Sequence, residues 1–331
     1  MRPARLAPRL PVPTLPDSRP VPNRSAMNSP IHPGRDVPTP IDAVARLTQP
    51  QRELRLARLI EQASSIVDEA ISEHCEGKRL VASCVLFSGG NDSTVLAHMM
   101  RPRVDYAVHA NTTIGIEETR QFVRDTCAEW QLPLLERQPP QSFRDLVVER
   151  GFPGPAMHFK IYQRLKERSL RSVRRELVAS PRRERVLFIA GRRRSESVRR
   201  QDVPLHERQG STIWASPLAM WTKLDLSTYR LVMGDVPVNR VSELLGMSGE
   251  CLCGCFAKPG ELDKIRAHFP ISAKEIDQLQ DAVREAGHLG LKARWGWGWQ
   301  RTARKPAQSG PLCTSCTDPL LALLDSRAVA S

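Results

Sequence analysis

Six consecutive residues, Ser88-Gly89-Gly90-Asn91-Asp92-Ser93, carry the clearest chemical capacity in this chain. Two adjacent glycines let the backbone take φ > 0 and approach a ligand closely. Where such a turn opens a helix, free N–H groups gather at its start. Together with the hydroxyls of Ser88 and Ser93 they suit an anionic oxygen. Asp92 is the odd member, because a carboxylate repels an anion. Its expected work is to order the loop by accepting backbone N–H bonds, or to help hold Mg²⁺. A second group follows a later apolar run: Gly191, Arg193 and Glu196. Arg193 can grip phosphate oxygens through two parallel N–H bonds. Glu196 can fix that guanidinium or a sugar hydroxyl.

The chain has 8 cysteines. Cys75, Cys84 and Cys127 lie singly in helical or strand patterns and read as small buried hydrophobes. The other five cluster as Cys251-x-Cys253-x-Cys255 and Cys313-x-x-Cys316. In a reducing compartment such clustering means metal binding or redox chemistry rather than a disulfide framework. Four thiolates suit Zn²⁺ or an iron–sulfur cluster, with free thiols as the bland alternative. The expected ligands are Cys251, Cys253, Cys313 and Cys316. Cys255 is then a reserve ligand or a thiol that carries sulfur, activated by nearby cations. Trp295, Trp297 and Trp299 alternate with glycines beside Arg294, Arg301 and Arg304. Such residues can stack on bases, but an apolar shell over the cysteine site is the favoured reading.

The elements that position these groups follow from the hydrophobic pattern. Helical spacing starts at Gln49, with Pro50 at the first turn, and ends near Gly77. Strands are expected at 80–87, 104–110, 132–135 and 185–190, and helices at 94–100, 116–130, 142–150 and 158–178. Alternation of this kind predicts an α/β fold with a parallel sheet covered by helices on both faces. Ligands of such sheets sit beyond the carboxyl ends of the strands. Ser88, Asn111 and Gly191 all fall there. Further on, short helices are expected at 224–233 and 239–245, then an amphipathic helix at 273–286. The resulting division is a disordered Pro-rich segment (1–42), an N-terminal helix (43–78), a nucleotide-binding domain (79–248), a cysteine-rich metal-binding region (249–318) and a tail (319–331).

Composition sets the outer limits. The chain has 331 residues, 40% of them apolar, enough for a large core. Eleven of its 27 prolines fall in the first 40 positions, a composition that disfavours a packed structure. No apolar run approaches the ~20 residues of a membrane span, and the start lacks the apolar core of a secretory signal. A soluble cytoplasmic protein without a membrane partner is expected. Net charge is +13, and 15 Lys/Arg against 4 Glu between Lys160 and Arg200 supply +11 of it. That span is either a solvated arginine-rich face or a surface for phosphate-rich partners, nucleotide or nucleic acid.

Several blocks together resemble the phosphoadenosine phosphosulfate reductase family, of the PP-loop, adenine nucleotide alpha hydrolase-like superfamily. Ser88–Ser93 matches its Ser-Gly-Gly-x-Asp-Ser loop. Asn111-Thr112 with Glu118-Thr119 and Phe122 is similar to its second nucleotide-site block. Leu165-Lys166 resembles its Leu-Lys element, and Gly191-x-Arg193-x-x-Glu196-Ser197 its Gly-x-Arg-x-x-Glu-Ser element. Pro217-Leu218, Trp221, Asp225 and Tyr229 continue the order. The resemblance spans about residues 80–260 and implies an adenine-nucleotide site built from Ser88, Gly89, Gly90, Asn91, Asp92, Ser93, Asn111, Thr112, Lys166, Gly191, Arg193 and Glu196. Asp92, Arg193 and Cys255 become the catalytic candidates.

Two departures matter. Sulfate-reducing members often carry Lys where this chain has Asn91, and they end in a tail with a nucleophilic cysteine, whereas no cysteine follows Cys316. A PP-loop beside a thiolate site resembles instead the PP-loop sulfurtransferases, some acting on tRNA and others on DNA. That likeness favours [4Fe–4S] over zinc. It implies adenylation of an acceptor by ATP with pyrophosphate release, then sulfur transfer, with a sulfur or electron donor protein as partner. The alternatives are reduction of an adenylyl-sulfate to sulfite, and a non-catalytic nucleotide- or nucleic-acid-binding module with structural zinc.

Overall fold

The computed structural model describes residues 29–298. Cys313, Cys316, Trp299, Arg301 and Arg304 lie outside the described residues, as do residues 1–28 and the tail. Six strands form one sheet: β1 (Arg79–Leu86), β2 (Tyr106–Ala110), β3 (Leu134–Arg137), β4 (Glu184–Ile189), β5 (His206–Gln209) and β6 (Thr212–Ala215). Their spatial order is β3-β2-β1-β4-β6-β5, parallel throughout except that β5 runs antiparallel to β6. The central strands are the most apolar because both of their faces are covered, and β4 is buried at all six positions.

The sheet's alternation divides the core in two. On one face Val85, Leu187 and Ile213 meet the apolar stripes of α2 (Gln49–Cys75), α3 (Asn91–Met100) and α8 (Lys223–Met233). On the other, Cys84, Val108 and Phe188 meet Leu170 and Val173 of α7 (Arg168–Leu177). The fold is the expected α/β architecture with helices on both faces. A third apolar cluster joins α5 (Phe143–Arg150), α9 (Arg240–Leu245), α10 (Glu261–His268) and α11 (Pro270–Glu285) to the segment around Cys253 and to Trp295.

Three features differ from the sequence expectation. Residues 29–40, assigned above to a disordered segment, pack along α2. Arg55, wholly buried, donates to the Pro30 carbonyl at 2.6 Å and to Thr39 Oγ1 at 3.0 Å. The same guanidinium holds both oxygens of buried Asp225 at 2.8 and 3.1 Å. Asp225 in turn accepts from the Thr222 backbone N–H and so closes the first turn of α8. Its family-pattern position is thus explained by structure: it ties α2, α8 and the N-terminal stretch together. Second, β5 and α10 were not foreseen, since His206–Gln209 and Glu261–His268 are short and mostly polar. Third, the basic helix expected over 158–178 is interrupted by a π-helical turn at Gln163–Glu167, between α6 (His158–Tyr162) and α7. Insertions of that kind turn side chains out of helical register, and Lys166 lies in it.

Candidate nucleotide and cysteine site

Beyond the carboxyl ends of β1 and β4 lies a cavity of about 930 Å³. Ser88, Gly90, Asn91, Asp92 and Ser93 form one wall. Gly89 sits behind them with φ +75, and a Cβ there would stand 2.8 Å from Thr119 Cγ2. The turn therefore needs glycine for both conformation and space. Its carbonyl accepts from Asn239 Nδ2 at 2.8 Å, so the cap residue of α9 pins the loop from below. Gly90 caps α3, and its carbonyl takes bonds from the Thr94 N–H and the Ser93 and Thr94 hydroxyls, each at 2.9 Å. Ser88 Oγ and Ser93 Oγ lie 3.1 Å apart. Two hydroxyls and the start of a ten-residue helix thus converge on one spot, the electrostatics an anion requires.

The adjoining wall is the turn after β4, carrying Gly191 and Arg193. Gly191 lets that turn press on α3: a Cβ would lie 3.4 Å from the Asp92 carbonyl carbon. The three consecutive arginines are not a solvated run, because each goes somewhere different. Arg192 lies over the Trp214 ring at 5.6 Å. Arg193 is buried and its Nε donates to Asp92 Oδ2 at 2.6 Å. Arg194 donates to the Val203 carbonyl at 2.8 Å and to that of Asp36. Asp92 therefore orders the loop through Arg193 rather than through backbone N–H groups. Glu196 pairs with Arg200; burial first, then the nearby Asp92 charge, raises its pKa, with Arg200 and Arg193 acting the other way. Lys166 reaches the cavity from the π-helical turn.

Asn111 and Thr112 are the exceptions. Both are buried and neither lines the cavity. Asn111 Nδ2 donates to Glu136 at 2.8 Å, and its Oδ1 accepts from the Thr113 N–H at 2.9 Å. The Thr112 N–H donates to Glu250 Oε1 at 2.8 Å. These bonds tie both residues to the structure around the cavity.

Those contacts reveal what anchors the cysteines. Glu250, immediately before Cys251, is 1% exposed and also lies 2.9 Å from His109 Nε2, without hydrogen-bond alignment. Backbone bonds from Ile116 to Gly249 and from Leu252 to Ile114 lay the cysteine segment against the loop after β2. A Cβ on Gly115 would collide with the Glu250 carbonyl at 2.6 Å, which explains the glycine. Cys251 lines the same cavity as the glycine loop, while Cys253 and Cys255 are buried. The hydrogen bond with Cys253, then burial, holds the Cys251 thiol well above the ordinary range. For Cys253 the Cys251 contact pulls the other way, but the Cys255 contact and burial outweigh it and raise that thiol too.

The donor set suits a soft ion or an iron–sulfur cluster, and among the described residues Cys251, Cys253 and Cys255 would hold it. Cys255 is linked to Cys253, and at 1% exposure it does not line the cavity. The thiol placed to meet a ligand is Cys251. Trp295 donates through Nε1 to the Leu252 carbonyl at 2.7 Å and crowds Gly254, so it shields this turn from water. Trp297 donates to the Phe152 carbonyl at 2.8 Å and packs on Gly154. Trp295 and Trp297 are an apolar cover here.

Two further residues were not singled out by sequence. Glu250 offered no signal beyond its place next to Cys251. Arg230 donates to Asn91 Oδ1 at 3.3 Å, bringing a cation to the loop position that lacks the family's lysine.

Residues 82–243 match the family model described as the phosphoadenosine phosphosulfate reductase domain. This segment is a phosphoadenosine phosphosulfate reductase-family domain. The glycine loop, the Lys166 turn and the Arg193 turn all belong to it, whereas Cys251 follows its end. No curated protein matches the chain. Among solved structures, a phosphoadenylyl-sulfate reductase from Candida auris is similar at 18% identity, covering 61% of this chain and 93% of that one, with a TM-score of 0.41. An NMN synthetase from Francisella tularensis is similar at 13% identity over 77% of this chain and 98% of that one, TM-score 0.41. A U34-tRNA thiolase from Methanococcus maripaludis, with its [4Fe–4S] cluster, is similar at 13% identity over 71% and 81%, TM-score 0.39. No helix among the described residues is long and apolar enough to cross a membrane.

Proposed function

We propose that this chain is an adenine-nucleotide-dependent sulfur transferase: ATP adenylates an acceptor oxygen with release of pyrophosphate, and sulfur then displaces AMP. The observation that carries the reading is that Cys251 and the Ser88–Ser93 loop line one cavity. The loop hydroxyls and the N–H groups of α3 hold the departing pyrophosphate, and Mg²⁺ is the expected counterion of the nucleotide. Arg193, fixed by Asp92, and Lys166 offset charge as it develops on the phosphates. Cys251 presents its sulfur to the same space. A [4Fe–4S] cluster, or zinc, on the cysteines would supply sulfur or keep the thiolates ionised. The basic span around Lys166 suits a nucleic acid acceptor, tRNA or DNA, and a separate protein would donate sulfur or electrons. The setting is cytoplasmic.

Anaerobic purification with iron, zinc and sulfide analysis, followed by a pyrophosphate-release assay, tests this. Turnover of ATP that rises on adding tRNA or DNA is expected. Sulfite release from an adenylyl-sulfate, without such stimulation, would replace this reading with the second one that the family match favours, a reductase. Stoichiometric zinc with no turnover of either kind would leave a binding module.

A further inference from the structure

A second cluster of metal-binding side chains lies away from the cavity, where the last turn of α2 meets the edge strand β5. His74 Nε2 and His206 Nδ1 are 3.0 Å apart, with their rings inclined at 64°. Glu73 Oε2 is 3.9 Å from the same His206 Nδ1. One ligand atom from each of Glu73, His74 and His206 falls within 4.8 Å of the other two, and among the described residues no other three His, Cys, Asp or Glu side chains do so. We propose that Glu73, His74 and His206 form a binding site for a divalent transition ion of the zinc class, with water in the fourth position.

The distances fit that chemistry. Zinc binds imidazole nitrogen and carboxylate oxygen at about 2.0–2.2 Å, so ligand atoms of a tetrahedral site stand roughly 3.3–3.6 Å apart. The observed 3.0 and 3.9 Å bracket this spacing. The surroundings fit as well. On the far side of the His206 ring, Glu69 Oε2 is 3.8 Å from Nε2. A carboxylate there favours a proton on Nε2 and leaves the Nδ1 lone pair toward His74 and Glu73. Carboxylates behind ligating histidines commonly act in this way. Glu69 is itself held by both guanidinium nitrogens of Arg35, so its position is fixed from the N-terminal stretch. Without an ion, two imidazole nitrogens facing each other share a single proton. With one, both lone pairs find a partner.

The site has a mechanical consequence. Successive residues of a strand face opposite sides. His206 faces α2, while Glu207 faces the cavity and lies 3.5 Å from Arg192. An ion joining α2 to His206 would therefore hold one wall of the nucleotide cavity from behind.

Equilibrium dialysis of the full chain with Zn²⁺ tests the proposal, comparing wild type with His206→Ala, His74→Ala and Glu73→Gln. Both histidine variants should bind one equivalent fewer, and Glu73→Gln should bind that equivalent more weakly. Cys251→Ala should retain it. With Co²⁺ as probe, the wild-type minus His206→Ala spectrum should show ligand-field bands without thiolate charge transfer. Zn²⁺ should raise the melting temperature of wild type more than that of His74→Ala, a variant at the end of α2 that leaves β5 intact. Equal zinc content in wild type and both histidine variants, or thiolate charge transfer in the difference spectrum, would overturn the site. None of these readouts depends on the sulfur-transfer reading.

Discussion

Arg193 and Asp92 meet across the mouth of the nucleotide cavity, Nε to Oδ2 at 2.6 Å, joining the turn after β4 to the first turn of α3. Arg193 is 5% exposed through its side chain and Asp92 26%, so the contact is only partly screened by water. Arg193→Ala should lower stability by about 1–3 kcal/mol and weaken ATP binding roughly tenfold or more. Arg193→Lys should not restore binding, because an ammonium cannot reproduce the guanidinium fork. Denaturant unfolding and calorimetric titration with ATP measure both effects.

Gly89 tests the loop from the backbone side. Its φ of +75 and the 2.8 Å approach of Thr119 to any added Cβ leave no room for a methyl group. Gly89→Ala is expected to cost about 2 kcal/mol and to abolish tight nucleotide binding. A Thr119→Ser partner change should recover part of the stability by removing the methyl in conflict, but not the part due to φ. A chemical denaturation series on the single and double variants reads this out.

Glu136 gives the fold a pH dependence. Hydrogen bonds from Arg124 first, aided by Asn111 and opposed by burial, hold its carboxyl down at about 2. The folded state therefore favours the ionised form. Its contribution is complete above the ordinary carboxylate pKa and is lost as pH falls toward about 2. The urea midpoint of wild type should exceed that of Glu136→Gln at pH 7, and the gap should narrow between pH 5 and 3. A gap constant with pH would show that Arg124 gains nothing from the charge.

Cysteine reactivity should separate by place. Burial pushes the Cys84 and Cys127 thiols up to about 12, so both should resist alkylation in the folded chain. Cys251 borders the cavity and should be alkylated before them in metal-free protein, though slowly, because its proton is held by Cys253 and by burial. ATP should protect it. Peptide mass spectrometry after timed iodoacetamide treatment measures the order and the protection.

Glu250 should matter more to the metal than to the nucleotide. Removing its carboxylate leaves the Thr112 N–H unpaired and His109 without its neighbour, both in the interior. Glu250→Ala should destabilise by about 2–3 kcal/mol and lower the metal and sulfide content of the purified protein. ATP affinity should change little, since Glu250 does not line the cavity.

The sequence made the sheet legible wherever strands were apolar and central. β1 and β4 stand within a residue or two of the runs read from hydrophobicity alone. β5 escaped because His206-Glu207-Arg208-Gln209 is a polar edge strand, one side facing α2 and the other the cavity. The N-terminal stretch escaped for another reason. Its prolines argue against packing by composition, yet buried Arg55, with Arg58 and Gln62 of the same helix, supplies donors that hold residues 29–40 in place. That the glycine loop and Arg193 line one cavity follows from their places at strand ends, a local feature. The internal partners of Asn111 and Thr112 are not legible locally, since the carboxylates that engage them, Glu136 and Glu250, come from distant parts of the chain. The roles of Cys251 and Cys255 depended on which way the turn at Gly254 faces, φ +74, and no spacing rule encodes that.

The close approach of Gly90 to Ser248, where an added Cβ would stand 3.1 Å away, makes the phosphate loop and the approach to the cysteines a single lever. Ser248 precedes Cys251 by three residues, and Glu250 clamps the stretch between them. A shift of the loop would therefore press on that stretch directly, while Asn239 and Arg193 hold the loop from its other sides.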